Sequence, residues 1–428
     1  MADELMIGGT PWWRNVNMAK IEEAQRLSQS QKSVVMPDPP PVSSVGTPIA
    51  LILSPAAPTS RPTSAATAPV APLSFVPQRR TEMPADDTME GGERLEIDMS
   101  NPALPAWYKD IGLDKVKKAP RIPPGIEEHL NKITSGIKKC NEAAAKNMPP
   151  SATELKKIND GIHNAFFLDL SALAIRQKGL LHNDRGLPQV FNSDKIDYPW
   201  YIKEDAAELY TKWWQKDTNP DLFRGIKLGR TKNAKIGRES AADKLDPKYP
   251  RKKGDFHGDG HLRNGQWWPT QLCAVRDGAH SATVGGICGR TGGGAFSCVM
   301  SGGSYPNIDK GTEVWYYGTE SDDPSRPSDS TQHMIESCRL QTPVRVLRAF
   351  KMTTEGPNDY RPKEGMRYDG LYKVANYEVK NVAKQVHLFH LVREPDQGPI
   401  RNSGPGIRPT PEELEALAKA KIEKKFLA

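Results

Sequence analysis

Few side chains in this sequence are spaced for chemistry. HGDGH (257–261) sets two histidines four residues apart, the interval at which a helix would aim both at a zinc ion. Two glycines between them work against a helix, and no cysteine lies nearby. A polar entry loop is the plainer reading of that motif. Ser297 and Ser301 lack the G-x-S-x-G elbow of a nucleophilic serine. His280, His387 and His390 stand alone and suit packing or hydrogen bonding. No pair of carboxylates is arranged for acid–base work. The expectation is a protein that is not an enzyme, with no catalytic residue, no metal and no cofactor.

Gly285 to Gly303, GGICGRTGGGAFSCVMSGG, holds eight glycines in nineteen residues. Glycine at that density means positive φ or close approach of the backbone to something else. A phosphate cradle fails on spacing. The segment has no lysine for a Walker loop, and its glycines miss G-x-G-x-x-G. A strand pair joined by glycine turns accounts for the geometry but not for its purpose.

Composition narrows the class. Proline (37) and glycine (35) are abundant, and 37% of residues are hydrophobic. From Val34 to Pro84 the chain is dominated by proline, alanine and serine, which cannot bury enough apolar surface to offset chain entropy. A disordered region over 1–100 is expected. Net charge is +7, and Pro247 to Pro405 carries 21 Lys and Arg against 17 Asp and Glu, which permits an anionic partner without requiring one. Five cysteines without a C-x-x-C pair fit buried thiols in a reducing, intracellular compartment. No apolar run approaches eighteen residues, and MADELMIGGTPWWRN lacks the layout of a secretory signal, so no membrane association is expected.

The elements follow from periodicity. Over 104–225 helices are expected. Ile126, Leu130, Ile133, Ile137, Cys140 and Ala144 recur at steps of four and three. Ser151 and Glu154 form a capping box, opening a helix through Leu155, Ile158, Ile162, Phe166 and Leu173. DAAELYTKWWQK (205–216) reads as another helix with Asp205 as N-cap. This region reads as a helical docking module for a partner. Residues 226–249 read as a basic linker, with a nuclear-import patch or a DNA-backbone arm as other readings. Beyond Gly254 short runs alternate with glycine: QLCAVR, AFSCVM, EVWYY, PVRVLRAF, LYKVANYEV and QVHLFHLVR are strand candidates of a compact β-rich domain. Thr410 and Pro411 open a C-terminal helix over 409–428.

The order of several pieces carries more than any one of them: GQWWP (265–269), RDGAH (276–280), AFSCVMSGG, IDKG (308–311), VWYYG (314–318), PVRVLR (343–348) and EGMRYDGLYKV (364–374). The series resembles the SRA, or YDG, domain over about 250–405, with fungal members most similar. The resemblance implies an α+β fold: a twisted β-barrel with flanking helices, here preceded by a helical region and a disordered N-terminus. It also implies a nuclear, chromatin-associated protein that binds double-stranded DNA and recognises modified cytosine, typically 5-methylcytosine, by flipping the base into a barrel pocket. Glycines would then let backbone amides approach the base and phosphates.

Roles carried over by the resemblance are these. Tyr316 falls on one stacking tyrosine. Ser304 holds the place of the other, and Tyr305, one later, can substitute if the loop shifts. Ser301, Gly302 and Gly303 would give backbone contacts to the base edge, and Val284 would push into the vacated space. Asn307 stands where the family has aspartate, so it keeps an acceptor for cytosine N4 but loses charge assistance. Tyr317 replaces a smaller polar residue. Apart from the resemblance, Arg290, Arg345 and Arg348 read as phosphate contacts, the latter two equally as solvated strand charges. Tyr368 and Asp369 read as a turn entering a strand more readily than as DNA contacts. The loop TESDDPSRPSDSTQ (319–332) is short and acidic, so strand-specific reading is not assigned. The alternative is a degenerate SRA-derived scaffold that acts by protein interaction alone. Action after binding would need a partner, with chromatin or histone-modifying proteins recruited through the helical region.

Overall fold

The computed structural model describes residues 97–112, 121–233, 238–241, 243–302 and 306–427, together with Met6–Ile7 and Thr10–Pro11. Contacts divide the chain into Met1–Ala85 and Asp86–Ala428. In the first unit Met6–Ile7 pairs antiparallel with Thr10–Pro11. The proline-rich tract expected to be disordered lies outside the described residues.

The second unit opens with helices α1 (Ala106–Asp110), α2 (Pro124–Ala144), α3 (Ala152–Ala165), α4 (Ala172–Lys178), α5 (Pro188–Phe191) and α6 (Trp200–Trp214). Leu130, Ile133, Ile137 and Cys140 line the buried side of α2 against Ile158 and Ile162 of α3. Ser151 caps α3 by accepting from the Glu154 amide at 3.2 Å. The single helix read through Leu173 is two helices. Ser171 accepts from the Ala174 amide at 3.1 Å and starts α4 afresh. Asp205 is not an N-cap either. Proline at 199 sets the start of α6, and Asp205 lies inside the helix, fully buried.

The span read as a linker contains strand pairings, Ile226–Lys227 with Lys244–Leu245 and Arg230–Asn233 with Arg238–Ala241. The β-rich part is one eight-stranded sheet: β1 (Trp267–Trp268), β2 (Ile287–Arg290), β3 (Gly294–Met300), β4 (Ile308–Asp309), β5 (Glu313–Tyr317), β6 (Val344–Ala349), β7 (Met366–Asn381) and β8 (Val386–Arg393). Its order is β4-β5-β8-β7-β6-β3-β2, with β1 also on β7. β6 and β3 run parallel.

Both faces of this sheet are covered. Cys298, Met300, Val346, Tyr372 and Phe389 pack on one side with Met334 of helix α8 (Asp329–Leu340). Val299, Leu347 and Tyr368 pack on the other with Cys273 and Ala274. Two-sided burial is why AFSCVM and VRVLRA read as continuous rather than alternating runs. QLCAVR, expected as a strand, is helix α7 (Gln271–Arg276). Its contiguous apolar residues carry no period, and the decision falls to the ends: Thr270 accepts from the Cys273 amide, and Gly278 (φ +77°) terminates the turn. Helix α9 (Pro411–Leu427) closes the chain; the Glu413 amide donates to Thr410 Oγ1 at 3.2 Å, and Glu413 Oε2 accepts from the Thr410 amide at 2.7 Å.

Candidate nucleic-acid interface

The glycine-rich stretch folds as the β2–β3 hairpin, with Gly292 (φ +76°) and Gly294 (φ +85°) at the turn. What its glycines approach is mostly this chain. A Cβ on Gly294 would meet Ser337 Oγ at 2.6 Å, and one on Gly289 would meet His333 at 2.7 Å. Both neighbours belong to α8, so these two glycines let that helix lie across the hairpin rather than admit a nucleotide. Gly286 and Gly302 differ. The first faces the Tyr316 hydroxyl, where a Cβ would come within 2.8 Å, and the second abuts the Lys351 carbonyl.

Tyr316 rises from β5 and is 6% exposed. Its hydroxyl points to the Val299 carbonyl at 3.5 Å, and burial raises its pKa. Asn307 precedes β4 and is also buried. Its backbone joins Thr353 and Glu355 at 3.1 and 2.7 Å, and its Oδ1 accepts from the Tyr317 amide at 3.0 Å. In an asparagine side chain only the oxygen accepts, so this bond fixes which way the Asn307 amide faces. Ser301 reaches the same strip, its carbonyl accepting from Thr353 at 3.4 Å. Ser301, Gly302, Asn307, Tyr316 and Tyr317 are thus gathered around the exit of β3. Val284 sits on the loop before β2 with 89% of its surface exposed. Gly303, Ser304 and Tyr305 lie outside the described residues.

The arginines divide. Arg290 is exposed at the end of β2. Arg345 and Arg348 correct the phosphate-contact reading, because both are wholly buried. Three residues apart on β6, they enter opposite faces of the sheet. Arg345 donates to the carbonyls of Ala279, Phe256, Gly258 and Gly254, and lies 4.0 Å above the Phe256 ring. Burial pulls its pKa down to about 10. Arg348 grips Asp309 with two bonds at 2.8 and 2.7 Å and reaches Asp369 at 3.0 Å. Neither retains a donor facing solvent.

Asp369 explains the YDG tripeptide. It lies within β7, not in a turn, and holds Arg348 and Arg367 together inside the fold. Tyr368 donates its hydroxyl to Asp259 of HGDGH, while His257 and His261 bond to the carbonyls of Gly293 and Asp277. Among the described residues no group of three or more His, Cys, Asp or Glu is placed to hold a metal ion.

From Arg367 the charges continue. Its guanidinium donates to the carbonyls of Arg401 and Arg408 at 3.0 Å. Arg401 takes Asp205 of α6 with two bonds, and Arg408 bonds to Asp205, Glu208 and Glu413. His163 of α3 completes the set, 2.9 Å from Asp205 and 3.6 Å from Glu412. A buried chain of ion pairs, bridged at Arg367 by hydrogen bonds to the Arg401 and Arg408 carbonyls, therefore runs from Asp309, two residues beyond Asn307, into the helical region. The sequence gives no local sign of Arg401 and Arg408 as buried partners, and Asp205, expected as an N-cap, is instead their buried counter-charge.

A model of the SAD/SRA domain matches residues 258–397. The chain is 33% identical over 158 residues to a UHRF1-like protein of Cryptococcus neoformans var. grubii, covering 32% of this chain and 45% of that protein. It is 30% identical over 172 residues to the human E3 ubiquitin-protein ligase UHRF2, covering 33% and 21%. The chain thus spans less than half the length of these relatives. A crystal structure of the SUVH5 SRA with hemi-methylated CG DNA aligns at 26% identity and a TM-score of 0.26, over 32% of this chain and 90% of that one. Among the described residues no helix is long and apolar enough to cross a membrane. On the match over 258–397 and the ordered motifs that fall within it, the chain carries a SAD/SRA domain.

Proposed function

We propose that this domain binds double-stranded DNA and reads a modified cytosine, probed most directly as 5-methylcytosine, by turning the base out of the duplex. The observation that carries the reading is the convergence of Asn307, Tyr316, Ser301 and Gly302 at one end of β3, with Val284 exposed on the loop that leads to Gly286, which faces Tyr316. Extraction of a base costs a few kcal/mol, which stacking and edge hydrogen bonds must return. Tyr316 would supply the stacking face. Asn307 Oδ1, held by the Tyr317 amide, has a second lone pair for cytosine N4, and its Nδ2 can donate to N3. Tyr305 and Gly303 would complete the enclosure, and Arg290 is the phosphate contact retained.

The reading is non-catalytic and nuclear. The helical region buries its apolar face internally, so recruitment of a chromatin protein there would use its charged surface. Acidic side chains favour a second reading, an interaction scaffold without base recognition: Asp322 and Asp323 on the loop, and Asp329, which opens α8 rather than lying in the loop, would repel phosphates. Titrating the full chain against matched duplexes with no, one-strand and two-strand cytosine methylation, at two salt concentrations, separates the two. Methyl preference that persists at higher salt supports reading. Equal binding that vanishes with salt leaves only backbone electrostatics.

A further inference from the structure

Val284 is an exposed apolar side chain on a loop without strand pairing, yet the feet of that loop are firmly tied. Gln271, the first residue of α7, spends both protons of its side-chain amide here. One goes to the Ala282 carbonyl at 2.9 Å and the other to the Gly285 carbonyl at 2.8 Å. These two acceptors bracket Thr283 and Val284.

His280 adds a third tie. Its Nε2 lies 2.9 Å from the Gly285 carbonyl, which can only accept, so Nε2 carries the proton. Nδ1 is left as an acceptor, and the Ser297 hydroxyl donates to it at 2.7 Å. The imidazole is fully buried, and burial brings its pKa down to about 4, consistent with a neutral ring. Ser297 belongs to β3, paired with both β2 and β6, so the loop is anchored to the middle of the sheet. Fixing backbone costs entropy at each residue. A tip destined only to lie in water gains nothing from such anchoring.

We infer that Gln271 and His280 are positioning residues that hold Val284 preformed as the wedge that enters the base stack when a nucleotide turns out. The inference rests on the base-turning reading above. A loop ordered in advance spares the complex the cost of ordering it on binding. Neither residue touches the DNA in this scheme; each acts through the carbonyls flanking Val284.

The test uses the full chain and a duplex with 2-aminopurine beside the methylcytosine, whose fluorescence rises when its neighbour leaves the stack. Gln271→Met keeps the length and removes both donors. It should weaken binding of the methylated duplex about tenfold, the scale of two lost hydrogen bonds, and reduce the fluorescence change, with the unmethylated duplex unaffected. Gln271→Arg, which restores donors, should recover both. Should Gln271→Met melt below the assay temperature, Gln271→Lys, whose donors all sit on one nitrogen at a different reach and so replace the paired amide bonds only in part, should show a loss of about threefold. Equal weakening on both duplexes, or full activity of Gln271→Met, overturns the positioning role. Val284→Gly tests the reading itself: if it keeps the fluorescence change and the methyl preference, the wedge is absent, whereas loss in Val284→Gly with full activity in Gln271→Met overturns only the role of Gln271.

Discussion

Arg401 and Asp205 stand 196 residues apart and share two hydrogen bonds, at 2.5 and 2.8 Å, with both side chains sealed from water. Arg408 approaches the same carboxylate at 2.7 Å. Removing one partner of a buried pair strands the other, at about 3–5 kcal/mol. Asp205→Ala should therefore lower the thermal midpoint by many degrees, measured by calorimetry on the full chain. A change within two degrees would show the latch to be idle.

The histidines set opposing pH limbs. Burial disfavours the His163 imidazolium, but hydrogen bonds to Asp205 and Glu412 outweigh it and hold its pKa at about 9, against the repulsion of Arg408. Its folded value is raised, so its contribution is complete below about pH 6.5 and lost as pH climbs through 9. His261 and His280 are pushed down to about 4, chiefly by burial. Their contribution is complete above about pH 6.5 and lost as pH falls through 4. Denaturant melts across this range should show greatest stability near neutrality or just below. His163→Gln should flatten the alkaline limb alone.

Tyr316 belongs to the core cluster as well as to the candidate pocket. Tyr316→Phe keeps the ring and gives up one long hydrogen bond, so both stability and methyl preference should survive. Tyr316→Ala should lose methyl preference, since base–aromatic stacking is worth about 1–3 kcal/mol. It should also destabilise the fold by about 3–5 kcal/mol through the cavity it leaves. Duplex titrations below the melting range separate the two effects; unchanged preference in Tyr316→Ala would remove it from the pocket.

Asn307→Asp should sharpen preference for cytosine over thymine at the target position. A carboxylate accepts from the Tyr317 amide and from N4 together, and charge-assisted bonds are about twice as strong as neutral ones. Competition titration with the two bases at one site measures this; a weaker cytosine preference in the variant would contradict the assigned role.

Arg345→Met, which removes the charge, distinguishes a buried brace from a DNA contact. A phosphate contact removed would reduce the salt slope by about one. Arg345 faces four carbonyls inside the protein, so the slope should stay as it is while the melting temperature falls.

That arginine also marks where sequence reasoning stopped. The ordered motifs from GQWWP to YDG identified the domain, and the apolar runs of β3 and β6 were legible because strands buried on both faces read that way. Which face of PVRVLR was covered was not legible, because alternation places a side chain on a face without saying what lies over it. Arg348 needs Asp309 and Asp369, each distant in the chain, before its charge can be buried. The same holds for Asp205, whose partners come from beyond residue 400. QLCAVR shows the local limit: four contiguous apolar residues carry no period, and only Thr270 and Gly278 hinted at a helix. Asn307, Tyr316 and Val284 were singled out through family spacing, whereas Gln271 sat in a segment read as a strand.

Between Glu394 and Thr410 the chain sends Arg401 and Arg408 inward to Asp205. A chain clipped there would leave Asp205 with neither of its arginines, and the helices would lose that tie to the sheet. Grafting the sheet alone into another protein would therefore fail to give a self-sufficient cassette. Helices and sheet have to be inherited, moved and cut as one piece.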